Sequence, residues 1–351
     1  IMDSWNKEYA LNKDEYLKLF DECMQEKQEQ NIEFLEKTIT DTIGRKHAVA
    51  CQNGTDALMF SLITLGIKPG DEVLTTNFSW ISTASCISMV GATPVFCDID
   101  KETYHMSLNS IKKMYSEKVK AIVYPHLFGN MSDLTEILEF CKEKNIFFIE
   151  DAAQALGSSL NGVKAGTQGD LSTISFNANK TIGGIAGGGV VLTDNNEHAD
   201  TIIKLRKHGN HEILGYNSKM LFFNAKFIDH RLKKLNEYVE KKQAVAKKYD
   251  ELLKDDVIIQ ETTNGVNHTY HKYIIRFEDK ETRNRVKKRL NANVHYEKPI
   301  SERPMYDKIS HRSDNCINCI NTSDTILTLP IDPYLTDEEI NKTVNTILAS
   351  L

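Results

Sequence analysis

Between residues 47 and 153 the chain alternates short apolar runs with longer segments that are apolar on one side only. HAVAC (47–51), the end of PGDEVLTTN (69–77), TPVFCDID (93–100), KAIVYPHLF (120–128) and IFFIEDAA (146–153) read as strands. TDALMFSLITLG (55–66), residues 80–91, LNSIKKMYSE (108–117) and LTEILEFCKEKN (134–145) space their apolar residues as helices do. Strand and helix in strict alternation predict a parallel sheet with helices on both faces and right-handed crossovers. After residue 165 the rhythm changes. LSTISF (171–176) and GGGVVLTD (187–194) read as two strands with one lysine and several glycines between them, followed by a helix over 195–208. A long Lys/Glu-rich helical stretch runs from about 222 to 254. VIIQE, HKYIIRF, a helix near 280–291 and a last helix opened by the capping box Thr336-Asp-Glu-Glu339 complete a smaller α+β unit. The predicted division is 1–235 and 236–351.

Composition narrows the classes. With 351 residues, 26% charged and 40% hydrophobic, the chain is an ordinary globular one. A net charge of −6 without a basic cluster argues against a nucleic-acid partner. No apolar run is long enough to cross a membrane, and the first residues lack the apolar core of a signal peptide. Seven cysteines, mostly within apolar runs, fit reduced thiols in a cytoplasm. Cys316 and Cys319 form a single CxxC with no second ligand pair, which predicts a loop with two buried thiols and no metal site.

The candidate chemistry gathers at strand ends. Gly54-Thr55 stands between a strand and a helix, where free N–H groups and the helix dipole suit a phosphate. Asp151 closes IFFIED, at the carboxyl edge where open α/β sheets bind ligands, and could pair with a buried cation such as a protonated pyridine nitrogen. Lys180 lies in STISFNANKTIGGIAGGGVVL (172–192). Burial would lower its pKa and free its lone pair for imine formation, and the glycines after it permit close approach. Their spacing fits neither G-x-G-x-x-G nor a Walker loop. Trp80, just past another strand, could cover a flat cofactor. Singly each has a plain structural reading, as a turn, a capping acid, a surface lysine and a core aromatic. Together they match what pyridoxal phosphate requires.

At these residues the sequence resembles the DegT/DnrJ/EryC1/StrS family of sugar aminotransferases. The resemblance is carried by NGTDAL (53–58), GDEVLTTNFSWISTA (70–84), GATPVFCDID (91–100), IEDAAQALGS (149–158), SFNANKTIGGIAGGG (175–189), LRKHGN (205–210), GYNSKM (215–220) and LPIDPYLTDEEI (329–340). It implies the aspartate-aminotransferase-like α/β fold, fold type I, with a mainly parallel central sheet and a smaller C-terminal α+β domain. It also implies a homodimer with shared active sites and pyridoxal 5′-phosphate as cofactor. By the same resemblance Lys180 binds the cofactor and serves as general base, and Asp151 pairs with its ring nitrogen. Gln154 lies near its hydroxyl, Trp80 stacks on the ring, and Gly54, Thr55 and Ser175 hold the phosphate. Asn217 reaches that phosphate from the other subunit. The implied reaction carries an amino group from L-glutamate to a nucleotide-linked keto-sugar; lysine rather than histidine at position 180 favours transamination over dehydration. The chain departs from the family pattern at Gly187, where an acid is frequent, at Lys219, at Asn224-Ala225-Lys226, in its N-terminal segment and around His295-Tyr296-Glu297. Two other readings stand beside the first: a fold-type-I enzyme for another keto substrate such as a sugar phosphate or inosose, and a cofactor-binding regulator or scaffold.

Overall fold

In a computed structural model, residues 2–351 are described. Two helices come first: α1 (Met2–Gln25), and α2 (Gln28–Ile43), which ends on Gly44 at φ 100°. The strand–helix alternation leaves both unannounced, because they are helices ahead of the first strand and carry modest amphipathic patterns. Asn12 bends α1 at φ −124°, with its side-chain amide donating to the Glu8 carbonyl at 2.9 Å in competition with the helix ladder.

The alternating region then folds as its pattern predicts: β1 (His47–Cys51), α3 (Gly54–Thr64), β2 (Glu72–Thr76), α4 (Ser82–Met89), β3 (Thr93–Cys97), α5 (Leu108–Met114), β4 (Val119–Pro125), α6 (Thr135–Lys144) and β5 (Phe147–Asp151). A small ribbon, β6 (Ser159–Leu160) and β7 (Val163–Lys164), precedes β8 (Leu171–Ser175), β9 (Gly189–Thr193) and α7 (Asn196–Leu205). The predicted stretch 222–254 is two helices, α8 (Phe222–Leu232) and α9 (Leu235–Leu253), separated at Lys233-Lys234. The last third holds β10 (Ile258–Ile259), β11 (Val266–Asn267), β12 (Tyr273–Arg276), α10 (Lys280–Leu290), β13 (Arg312–Ser313), α11 (Ile317–Thr325), β14 (Ile326–Leu329) and α12 (Asp337–Leu348). The capping box at Thr336 and Glu339 is formed. Cys316 and Cys319 are buried free thiols, but they sit on the cap and first turn of α11 rather than in a loop.

Eight strands form the main sheet in the order β1-β9-β8-β5-β4-β2-β3-β13. From β8 to β13 all neighbours are parallel. Only β9 runs against its neighbours β1 and β8, since the segment 176–188 turns the chain straight back without a helical crossover. The carboxyl ends of β1, β2, β4, β5 and β8 therefore lie along one edge. A second sheet, β10-β12-β14, packs with α9 and α12 around Tyr249, Tyr273, Ile275, Leu327 and Val344. Between the two sheets lies an apolar cluster of Phe78, Tyr104, Phe128, Ile274 and Tyr296 with both α11 cysteines. The short β13 crosses back to pair with β3 of the main sheet.

Candidate active site

The ends of β1, β5 and β8 and the start of α4 deliver polar groups to the carboxyl edge of the main sheet. Asn53 caps α3, its side-chain oxygen taking the Asp56 N–H at 2.9 Å. Among the described residues this leaves the Gly54 and Thr55 N–H groups without an acceptor at the positive end of the helix. A Cβ on Gly54 would stand 2.9 Å from the Ser175 Cβ, so only glycine lets α3 approach the end of β8 so closely. Thr55 Oγ1 lies 2.8 Å from Ser82 Oγ at the start of α4. Gly54, Thr55 and Ser175 thus form one contiguous cradle of donors.

Asp151 ends β5 and is buried. Its Oδ2 accepts from Thr83 Oγ1 at 3.0 Å and its Oδ1 from the Ala153 N–H at 3.1 Å. Burial still pushes its pKa up, against the favourable Lys180 charge and these donors. Lys180 lies in the turn between β8 and β9, half-buried. Burial holds its amine down to about 8, against the opposing pull of Asp151 and with the help of Lys272. Gln154 is clamped at both ends: its Oε1 takes the Phe128 N–H at 3.1 Å and its Nε2 donates to Tyr296 Oη at 2.7 Å.

Lys180, Trp80 and Tyr296 line a cavity of about 860 Å³ between the main sheet and the β12–β14 sheet. Trp80 is 61% exposed, so one indole face is available to a flat partner. Asn217 is exposed and does not line this cavity; it sits on the bridge between Lys207 and Asn217.

The glycines after Lys180 work differently from the sequence expectation. A Cβ on Gly183 would meet the Ala178 carbonyl at 2.7 Å, and one on Gly189 would meet the Asn53 carbonyl at 2.2 Å. They let this loop's backbone pack on itself and on the α3 cap, which fixes Lys180 relative to the cradle. At Gly187, where relatives often keep an acid, φ is 79° and a Cβ would meet nothing nearer than the Gln52 carbonyl at 4.0 Å. Its carbonyl accepts from Asn224 Nδ2 at 2.7 Å, while Asn224 Oδ1 takes the Ala186 N–H at 3.1 Å. Two departures from the family pattern, Gly187 and Asn224, therefore meet in one clamp.

Thr83 and Tyr296 escaped the sequence reading. Thr83 stands within the quoted SWISTA and Tyr296 within a stretch where the family resemblance is weak. Thr83 carries no signal until α4 meets the end of β5, nor Tyr296 until the segment 291–296 meets Gln154.

Residues 12–348 match the DegT/DnrJ/EryC1/StrS aminotransferase family. The chain belongs to this family. It is 32% identical to a UDP-N-acetyl-3-dehydro-alpha-D-glucosamine 3-aminotransferase from Acidithiobacillus ferrooxidans, over 90% of this chain and 88% of that one. It is 31% identical to a pleiotropic regulatory protein from Geobacillus stearothermophilus, over 95% and 94%. A DegT DnrJ EryC1 StrS aminotransferase from Brucella abortus superposes with a TM-score of 0.91 at 28% identity, over 99% and 98% of the two chains. A Bacillus subtilis structure solved with bound PMP, 26% identical, superposes at 0.83 over 91% and 77%. The aminotransferase depends on pyridoxal phosphate, and its fold is that of its family.

The residues present fit that cofactor. A cradle of unpaired N–H groups that a Cβ would fill suits the phosphate. A buried acid whose ionised form needs a cation suits a pyridinium, and a depressed amine suits imine formation.

Proposed function

We propose that this aminotransferase moves an amino group from L-glutamate to C3 or C4 of a nucleotide-linked keto-deoxysugar, making an amino sugar for surface polysaccharide or glycan synthesis. The observation that carries the reading is the pairing of a depressed Lys180 amine with buried Asp151 beside a cavity of about 860 Å³, ample for a substrate larger than an amino acid. The printed activity of the Acidithiobacillus relative supports the substrate class.

When bound, pyridoxal phosphate supplies an aldehyde that condenses with amines and a ring that takes up the electron pair left by a departing Cα proton. The chain's residues do the rest. Gly54, Thr55 and Ser175 would hold the phosphate. Asp151, kept in place by Thr83, would hold a proton on the ring nitrogen. Gln154 would serve the ring hydroxyl, Trp80 would stack on the ring, and Lys180 Nζ would take the Cα proton and return it. The reading includes a homodimer in which Asn217 serves the neighbouring subunit's phosphate. It takes residues 1–235 as the cofactor-binding unit and 236–351 as the small one. The seven unpaired cysteines favour a reducing cytoplasm. Among the described residues no helix is long and apolar enough to cross a membrane.

The test is a panel of keto-sugar nucleotides with glutamate, read by mass spectrometry. The expected result is a product in which one keto oxygen has been replaced by an amino group, formed with one nucleotide class and not by Lys180→Ala. Amination of sugar phosphates or inososes alone would transfer the assignment to the other keto substrates.

A further inference from the structure

In the cavity that Lys180 lines, α9 and the residues just before β12 carry charge that the transamination residues do not use. Lys242 is 5% exposed and Lys272 is half-buried, and both line the cavity. Among the described residues neither ammonium has a hydrogen-bond or ion-pair partner. Burying an unpaired ammonium is costly, so such a pair persists where something else supplies negative charge. The acids nearby offset this only in part. Glu8 is taken by Arg231, Tyr16 and Tyr238, its two oxygens lying 2.8 and 2.7 Å from the guanidinium. Asp332 favours the charged form of Lys242, but burial pushes its own pKa up, its Oδ1 accepts from the Tyr334 N–H, and it makes no ion pair with either lysine.

The surroundings respond as a site of excess positive charge does. Burial first, and then Lys272, push Lys242 down to about 7. His271 is buried on the same wall with Nδ1 unpartnered, and burial with Lys180, Lys272 and Lys242 holds it neutral. His295 is pushed down to about 4 by burial, Lys272 and Lys180. Lys272 is the charge these groups share.

We propose that Lys242 and Lys272 form an anion subsite of the reactant cavity, which Lys180 also lines, that receives the anionic oxygens of a reactant. The shared chemistry is a carboxylate or phosphate group, from the amino donor or from the nucleotide handle of the sugar. The inference rests on the aminotransferase reading but concerns binding, so it is tested apart from turnover.

The experiment uses the cofactor-loaded protein and calorimetric titration with two probes, glutarate for the donor carboxylates and a nucleoside diphosphate for the handle. Wild type is expected to bind at least one. Lys242→Gln and Lys272→Gln are each expected to weaken that probe at least tenfold, with Lys272→Arg restoring most of it. The probe that responds names the source. An unchanged visible cofactor band in each variant shows that the fold and the Lys180 site stand. Binding that is equal in wild type and both Gln variants, or no binding of either probe to the band-bearing wild type, overturns the subsite and leaves the aminotransferase reading intact. Loss of the band in wild-type protein given cofactor would instead strike at that reading.

Discussion

Lys180 shows how a single position can acquire chemistry that its residue type does not usually have. Its ordinary pKa leaves almost no free amine near neutrality, and burial brings it to about 8. The free-amine fraction grows as pH rises through that value. The rate at which apoprotein takes up pyridoxal phosphate should thus climb about tenfold per pH unit below 7 and level off above 9, as followed by visible absorbance. A flat profile from pH 6 to 9 would mean the amine is not depressed. Gly54 is the second position where one atom decides. Gly54→Ala places a methyl 2.9 Å from the Ser175 Cβ and should destabilise the fold by about 1–3 kcal/mol in denaturant unfolding. It should also weaken cofactor retention at least tenfold, whereas Gly44→Ala, with nothing within 4 Å, should change stability only through its φ of 100° and leave the cofactor bound.

At the scale of elements, the loop that carries Lys180 is held from outside by α1 and α8. Trp5 Nε1 donates to the Ala178 carbonyl at 2.9 Å, and Arg231 of α8 donates to the Gly183 carbonyl. Arg231 lies 4.5 Å from the Trp5 ring and is bound through both Glu8 oxygens. Glu8 and Arg231 are each under 10% exposed, so removing the acid strands a buried cation. Glu8→Gln should cost about 3–5 kcal/mol. It should also raise amide exchange across 178–183 measured by mass spectrometry, while exchange in β4 stays unchanged. Equal protection in that loop would show that α1 does not hold it. Asn224→Ala should act more locally, freeing the Gly187 carbonyl and the Ala186 N–H, with a loss of about 1–3 kcal/mol.

Across the whole molecule, the surface around the Asn217 bridge exposes Leu214 at 95%, with Ile213, Tyr216 and Leu221 also above 40%. Large apolar side chains exposed this close together along the chain suit an interaction face. The proposed dimer would cover it and bring Asn217 to a neighbouring cradle. Light scattering should then give a mass near 80 kDa, twice the 39.9 kDa of the chain. Leu214→Asp should yield monomers and release cofactor, and Asn217→Ala should loosen cofactor binding while leaving the dimer whole. A monomeric wild type that retains cofactor would remove the shared site.

Much of this was legible in one dimension because it rests on local pattern. The period of apolar residues set the strands from 47 to 151, and capping chemistry set the starts of α3 and α12. Residues at strand ends share an edge whenever the strands are parallel, so Gly54, Trp80, Asp151 and Lys180 could be grouped before any fold was seen. Tertiary structure alone decided what depends on distant segments meeting. Thr83 reaches Asp151 across 68 residues and Tyr296 reaches Gln154 across 142. The glycine run proved to be a backbone-packing device because its partner, the α3 cap, lies more than 100 residues earlier in the chain. The unpaired charges of Lys242 and Lys272 likewise emerge only in the fold, since a lysine's want of a partner is a property of the space around it and leaves no mark on its neighbours in sequence.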